Sequence, residues 1–272
     1  MRLVTVILTA VLAACGGEVP VPQPPARPER IVSLDHCADQ FALTFAPREH
    51  VLAVSPGAAR DFSAVREAAR GVPTVPPDIE DVLLLEPDLV VRAYGGGADA
   101  AAALRRAGIP VIEIGWSATL DDAADTVARV GTALGDGAKA ARLAARLRSL
   151  TDSAVPEGSR GRLLYLTPSG VTTGPGSLID RVIRSAGYEN FETRPGWHDV
   201  ALERLVEERP DRIVTAFFDA EARFRGHWSV GRHPLLAEML ASVPRTHVPG
   251  AWLSCSTWTL ADVARRIGAE GV

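Results

Sequence analysis

One segment pattern occurs twice in this chain and limits what it can fold into. Residues 79–91 read IEDVLLLEPDLVV and residues 202–214 read LERLVEERPDRIV, at a constant offset of 123 residues. Each copy has Glu at its second position, Pro-Asp seven residues later and then an apolar run. Because proline disfavours helix at the residue before it, each copy predicts a helix, a turn at Pro-Asp and a strand. Two similar α/β lobes would explain the repetition.

The rest of the chain alternates runs of strand length with runs of helical periodicity, which predicts βαβ units and mostly parallel sheets. We predict strands at 30–34, 50–55, 89–93, 111–115, 162–167, 212–217 and 245–250. Helices are predicted at 79–86, 98–107, 177–186, 200–209, 233–241 and 259–267.

Residues 119–152 interrupt this alternation with helix-forming residues, broken once by Gly-Asp-Gly at 135–137. Leu143, Leu147 and Leu150 are spaced as one apolar stripe of a helix. The order is therefore an α/β lobe, a long helix and a second α/β lobe.

The N-terminus has the pattern of an export signal. Arg2 precedes an apolar stretch that is too short to span a bilayer, and the stretch ends in LAAC at Cys15. We favour a lipoprotein-type signal peptide over residues 1–15 with lipid on Cys15; the alternative is a plain signal peptide in which Cys15 is incidental. Residues 16–29 are rich in proline and predict a tether or a disordered start of the mature chain.

The net charge and the positions of the cysteines argue against several classes of function. The 272 residues carry a net charge of −4 without a Lys/Arg stripe, which argues against nucleic-acid binding. Cys37 and Cys255 form no CxxC motif, so a thioredoxin-like or zinc-ribbon site has no support. Spacing does not show whether they pair, and we expect two buried free thiols rather than a disulfide.

Several motifs in a fixed order carry a resemblance to a known family. They are RIVSLDHCADQFAL, IEDVLLLEPDLVV, a long helix, GPGSLIDRVIRSAGYENF, LERLVEERPDRIV and HPLLAEMLASVPRTHVPGAWL. Over roughly residues 30–267, this series resembles the substrate-binding proteins of ABC importers for iron complexes and vitamin B12. The resemblance implies two Rossmann-like α/β lobes (30–136 and 153–272), a single bridging helix at 137–152 and a ligand cleft between the lobes, as in class III periplasmic binding proteins.

The resemblance also implies a docking role for one glutamate on each lobe. In the family these glutamates pair with arginines of the membrane permease, and by motif position they are Glu80 and Glu203. The alternative is that both carboxylates only stabilise the starts of their helices through the helix dipole.

Ligands of open α/β sheets bind beyond the carboxyl ends of the strands, which identifies candidate cleft residues. Aromatic side chains at such positions provide rigid contact area for a bulky ligand, although each could equally belong to the core. In corrinoid-binding relatives, a Trp spaced like Trp197 faces the cleft. The candidates are Asp35, His36, Tyr94, Trp116, Ser169, Trp197, Phe218 and Trp252.

The sequence lacks the common motifs of metal sites and of catalytic sites. His36, His198, His227 and His233 lack the spacing of a zinc site, so we expect no directly bound metal. No GxSxG or P-loop is present, which leaves an exported hydrolase as a remote alternative. Haem binders of the family place a Tyr before the first-lobe helix, whereas this chain reads VPTVPPDIE there, so haem is a secondary alternative.

The sequence therefore predicts a monomeric, non-enzymatic capture protein. It would work in the periplasm or on the outer face of the cell membrane, held to the membrane only by a lipid anchor. It would bind a metal chelate, a ferric siderophore or cobalamin, and deliver it to an ABC importer permease. The chelate is cargo, so no resident cofactor is expected.

Overall fold

The computed structural model describes residues 21–151, 158–218 and 230–269. The predicted signal peptide, Cys15 and the first residues of the tether lie outside these ranges, as does His227. Within the described ranges, each helix is too short or too polar to cross a bilayer.

The first lobe is built on a parallel sheet in the order β2-β1-β3-β4. Its strands are β1 (Ile31–Ser33), β2 (Val51–Ala53), β3 (Leu89–Arg92) and β4 (Val111–Glu113). Its helices are α1 (His36–Phe45), α2 (Ile79–Leu83) and α3 (Ala100–Arg106). The strand residues are almost all buried, as expected for a parallel sheet covered on both faces.

Two antiparallel helices join the lobes, α4 (Leu120–Ala133) and α5 (Gly137–Thr151). Thr119 and Asp122 form a capping box that starts α4, and Gly135 makes the turn with φ 111°. The predicted bridging helix corresponds to α5, and α4 packs along it. One apolar core passes from the first sheet through both helices into the second lobe.

The second lobe repeats this plan with a parallel sheet in the order β10-β9-β5-β7. Its strands are β5 (Arg162–Leu166), β7 (Glu189–Asn190), β9 (Arg212–Ala216) and β10 (Arg245–Val248). A separate antiparallel pair consists of β6 (Val171–Thr173) and β8 (Trp197–Asp199). The helices are α6 (Leu178–Ser185), α7 (Leu202–Glu207), α8 (Pro234–Ser242) and α9 (Thr259–Ala269). The predicted α/β fold class is confirmed.

The aspartate of each Pro-Asp pair anchors the neighbouring strand of its sheet. The Asp88 carboxylate accepts hydrogen bonds from the backbone N–H groups of Glu29 and Arg30, at 2.8 and 3.0 Å, just before β1. The Asp211 carboxylate accepts one from the N–H of Arg162, at 2.6 Å, at the start of β5. Both lobes thus use the turn residue to fix the register of the central strands, which explains why Asp follows Pro twice.

An arginine completes this anchor in both lobes. Arg30 donates from Nε to the carbonyl of Glu86 at 2.8 Å, and Arg162 donates to the equivalent carbonyl of Arg209 at 3.5 Å. Each carbonyl belongs to the residue before the proline, where the helical hydrogen-bond pattern has ended. In both lobes, therefore, an arginine at the start of the neighbouring strand also holds the Pro-Asp turn.

The predicted helices are longer than the observed ones around both prolines. Helix α2 ends at Leu83 rather than Glu86, because Glu86 has a left-handed backbone with φ 47° before Pro87. Helix α7 ends at Glu207 rather than Arg209. The sequence patterns did not predict α1 or the strands β6, β7 and β8, which are too short for a periodic signal.

Candidate ligand cavity

A cavity of about 840 Å³ lies beyond the carboxyl ends of strands from both sheets. We call it the interlobe cavity. The first lobe lines it with the loops after β1, β3 and β4, and the second lobe with the loops after β5 and β9 and the start of α6. Its size is within the range of small-molecule and cofactor sites. It lies where the strand-end rule predicts, because parallel strands place their carboxyl ends on one edge of each sheet.

Three of the predicted aromatic residues line the cavity with largely exposed rings. Tyr94, Trp116 and Trp197 are 56, 87 and 57 % exposed, respectively. A ligand that covers these large exposed rings removes apolar surface from water, which favours binding. Tyr165, which the sequence analysis did not select, supports Trp197 edge-on with ring centroids 5.8 Å apart. Tyr165 lies within the buried strand β5, where its sequence pattern is the same as that of the core residues, so the sequence could not identify it as a cavity residue.

Asp35 positions the first-lobe wall but does not itself line the cavity. One carboxylate oxygen accepts the N–H of Ala38 at 2.9 Å and caps α1. The other oxygen accepts the N–H groups of Ala93, Tyr94 and Gly95 at 2.7, 3.0 and 2.9 Å. These bonds use both oxygens, so Asp35 orders the loop that carries Tyr94 instead of facing a ligand.

His36 and Tyr94 form a polar pair in this wall. The Tyr94 hydroxyl is 2.5 Å from His36 Nδ1, and the His36 ring contacts Phe62 edge-on at 4.9 Å. Desolvation lowers the pKa of His36 and favours the neutral imidazole. Desolvation, with the nearby Asp35 and Asp39 carboxylates, raises the pKa of Tyr94 to about 12, so its hydroxyl keeps its proton. The pair therefore presents neutral, hydrogen-bonding groups.

A disulfide between Cys37 and Cys255 crosses the two lobes at the cavity wall. The Cα atoms are 5.7 Å apart although the residues are 218 positions apart in sequence. The expectation of two free thiols is therefore wrong. Only the tertiary fold brings the start of α1 against the loop before α9, and a distance in sequence carries no information about that approach.

Trp197 lies on β8, and the loop before it is tied down by a buried carboxylate. Glu192 is 2 % exposed, and its Oε1 accepts the N–H groups of Thr193 and Arg194 at 2.9 Å each. Gly174 allows close approach of this loop, because a Cβ atom there would lie 1.8 Å from the Arg194 carbonyl oxygen. These contacts fix the loop that leads into β8 and therefore help to position Trp197.

The remaining candidates lie beside the cavity. The Ser169 hydroxyl is hydrogen-bonded to Thr167 Oγ1 at 3.0 Å in the turn between β5 and β6. Trp252 packs against the main apolar core, and Phe218 is half-buried after β9. Phe217, the residue before Phe218, lines the cavity with a left-handed backbone at φ 64°. The prediction therefore located the strand end correctly but chose the neighbouring ring, Phe218 instead of Phe217.

The described lining is apolar with neutral polar groups. It contains no Lys, Arg, Asp or Glu among the residues that the structure describes around the cavity. Its polar groups are hydroxyls, backbone atoms and the His36 imidazole, such as those of Ser117, Thr167 and Ser177. Such a lining suits a bulky ligand with little net charge, because an anion would remain without a partner there.

Glu80 and Glu203 are both exposed, near the starts of α2 and α7. Among the described residues, neither carboxylate has a side-chain hydrogen bond or an ion pair. The matching positions Val82 and Leu205 are buried and attach both helices to their lobes. The two glutamates are thus equivalent surface groups on equivalent elements.

Comparison with known sequences identifies a family and a curated relative of this chain. A family model described as "Periplasmic binding protein" matches residues 64–241. A cobalamin-binding protein of Halobacterium salinarum is 29 % identical over 200 residues, which cover 70 % of this chain and 54 % of the relative. This chain therefore spans about half the length of the curated relatives it matches.

Solved structures with the same fold include two proteins of Vibrio cholerae. The periplasmic vitamin B12 binding protein BtuF is 22 % identical with a TM-score of 0.60, over 90 % of this chain and 96 % of BtuF. The periplasmic heme binding protein HutB is 22 % identical with a TM-score of 0.65, over 88 % of this chain and 97 % of HutB. At these identities the likeness establishes the fold and leaves the ligand open.

Proposed function

Because this chain belongs to the periplasmic binding protein family, we propose that it is the substrate-binding component of an ABC importer and that its cargo is a corrinoid such as cobalamin. The observation that carries the proposal is the interlobe cavity, with its exposed Tyr94, Trp116 and Trp197 rings and a described lining free of charged side chains. The cobalamin-binding relative of Halobacterium salinarum supports the choice of cargo. The work of the protein is capture and delivery, without catalysis.

Net charge distinguishes a corrinoid from the two alternative cargoes, an anionic siderophore and haem. Anionic siderophores and the propionates of haem require cationic partners when they are buried. The described lining offers hydroxyls and one neutral imidazole instead. A corrinoid presents a large, nearly neutral macrocycle with amide side chains, which stacking rings and hydroxyl groups accommodate.

The test of cargo is calorimetric titration with cyanocobalamin, haem and an anionic ferric siderophore. We expect cyanocobalamin to bind most tightly. Trp116→Ala should weaken its binding by on the order of tenfold, since one stacking ring is lost. Leu84→Ala removes an exposed apolar side chain outside the cavity and is the matched control. Tighter binding of haem or of the siderophore would contradict the corrinoid assignment, and binding of none of the three would contradict chelate capture.

We also propose that Glu80 and Glu203 dock the loaded protein onto arginines of the permease. Both carboxylates are exposed and free of competing ion pairs within the described chain, so they are available to a partner. A change at Glu80 or Glu203 should leave cargo binding intact, because their helices, α2 and α7, lie outside the cavity lining.

Reversal of both charges tests this role. In Glu80→Lys/Glu203→Lys, uptake of the cargo by cells should fall at least tenfold while its affinity in solution stays the same. Glu49→Lys/Glu189→Lys reverses one other exposed carboxylate in each lobe and should leave uptake intact. Normal uptake in the first variant would refute docking through these residues, whereas an equal loss in both variants would indicate a nonspecific effect of charge.

A further inference from the structure

Three possible metal ligands from opposite ends of the chain meet in the wall of the interlobe cavity. His36, Cys37 and Cys255 bring their ligand atoms within 4.8 Å of one another, and His36 Nε2 is 3.6 Å from Cys37 Sγ. The two sulfur atoms are joined as a disulfide in this structure. The grouping is invisible in the sequence, because the histidine and first cysteine are adjacent while the second cysteine is 218 residues away.

The donor set has the chemistry of a soft-metal site. Two thiolates and an imidazole form the ligand set of catalytic-type zinc sites, in which a fourth position stays open. Thiolates on one Zn²⁺ are roughly 3.8 Å apart, so the sulfurs need only separate by about 2 Å after reduction. All three residues line the cavity, which leaves its interior for the fourth ligand.

The second nitrogen of His36 is already oriented as in known metal sites. Ligating histidines donate their other N–H to a neighbouring acceptor, which fixes the tautomer and the ring orientation. Here Nδ1 lies 2.5 Å from the Tyr94 hydroxyl oxygen, to which it can donate, and Nε2 lies on the sulfur side, 3.6 Å from Cys37 Sγ. Phe62 packs edge-on against the same ring and restricts its rotation.

We propose that reduction of the Cys37–Cys255 disulfide creates a Zn²⁺ site formed by Cys37 Sγ, Cys255 Sγ and His36 Nε2. A phosphine reductant supplies two electrons, the S–S bond breaks to give two thiols, and the phosphine becomes its oxide with an oxygen atom from water. Zn²⁺ then displaces two thiol protons and binds both thiolates and the imidazole. The same residues would link the lobes as a disulfide in oxidising surroundings and through a metal in reducing ones.

Cobalt titration of the full chain tests the proposal, since Co²⁺ occupies zinc sites and reports its ligands. The phosphine-reduced protein should bind one Co²⁺ with a thiolate charge-transfer band and tetrahedral visible bands, and Zn²⁺ should remove both. The oxidised protein should show neither. His36→Ala should weaken Co²⁺ binding by at least about tenfold and change the visible bands, and Tyr94→Phe should weaken it by about tenfold. His198→Ala, a histidine of the second lobe, is the matched control and should bind normally.

Three results would overturn the site. The first is the absence of a charge-transfer band in the reduced protein. The second is an unchanged spectrum and affinity in His36→Ala, which would mean that the thiols alone bind the metal. The third is loss of the folded circular-dichroism spectrum on reduction, because the site requires the packed lobes. None of these outcomes depends on which chelate the protein carries.

Discussion

The pKa of one buried carboxyl group in α1, that of Asp39, is set by its surroundings. Asp39 is fully buried, and its carboxylate accepts hydrogen bonds from the Ser33 and Ser55 hydroxyls and from the Ser55 N–H. Desolvation raises the pKa of Asp39 to about 7, against the opposing effect of these hydrogen bonds. The residue therefore joins α1 to the ends of two strands in a form that is partly neutral near pH 7.

The raised pKa of Asp39 gives a pH dependence of stability. Below about pH 4 the group is protonated in the folded and unfolded chains alike. Between about pH 4 and 7 the unfolded chain loses this proton first, so the free energy of unfolding falls as the pH rises, by a total on the order of 4 kcal/mol. Asp39→Asn cannot ionise and should remove that part of the slope.

Urea unfolding of wild type and Asp39→Asn between pH 4 and 8 measures the difference. The stability of the variant relative to wild type should increase with pH across this window. Asp121→Asn, which removes an exposed carboxylate of α4, is the matched control for the loss of one acidic side chain. Parallel curves for wild type and Asp39→Asn would show that burial does not shift this group.

At the scale of elements, the helical pair between the lobes depends on one close contact. A Cβ atom at Gly131 of α4 would lie 2.5 Å from the Cβ of Ala140 in α5 and 3.0 Å from the Phe45 ring. The absence of a side chain lets the two helices approach, and their contact continues the apolar core between the sheets. The low helix propensity of glycine is therefore outweighed by packing at this site.

Gly131→Ala should lower the free energy of unfolding by roughly 1–3 kcal/mol, because overpacking exceeds the gain in helix propensity. Gly268→Ala in α9 is the matched control, since its Cβ would have no neighbour within 4 Å. The control should be neutral or slightly stabilising. Denaturant titration of both variants measures the effect, and equal stabilities would contradict the packing argument.

At the scale of the molecule, two linkages hold the lobes in place. The core runs without interruption from the first sheet through α4 and α5 to the second lobe. The Cys37–Cys255 disulfide adds a covalent link on the cavity side. Both linkages limit how far the cavity can open, so we expect small lobe motions on ligand binding.

Reduction of the disulfide should lower the free energy of unfolding by roughly 5 kcal/mol, because the bond closes a loop of 218 residues in the unfolded chain. Urea unfolding with and without a phosphine reductant measures the change. Cys37→Ser/Cys255→Ser should match the reduced protein and be insensitive to reductant. An unchanged midpoint on reduction would mean that the link does not constrain the unfolded chain.

The sequence by itself determined the α/β fold class, the repeated helix–turn–strand unit and the loops at the strand ends. These features depend on short-range patterns: apolar periodicity, proline and glycine positions, and the order of strands and helices. Tyr94 and Trp116 could be selected for the same reason, because a ring shortly after a parallel strand lies at a known edge of the sheet. Trp197 lies on the antiparallel strand β8, and only the family resemblance selected it.

Only the tertiary structure decided which side chains face the cavity and which hold its walls. Asp35 turned out to order a loop, Trp252 joined the core, and Tyr165 and Phe217 lined the cavity. The pairing of Cys37 with Cys255 and the burial of Asp39 were likewise decided by distant segments. The physical reason is that local pattern sets the backbone, whereas burial and contact depend on residues that meet only after the lobes have packed together.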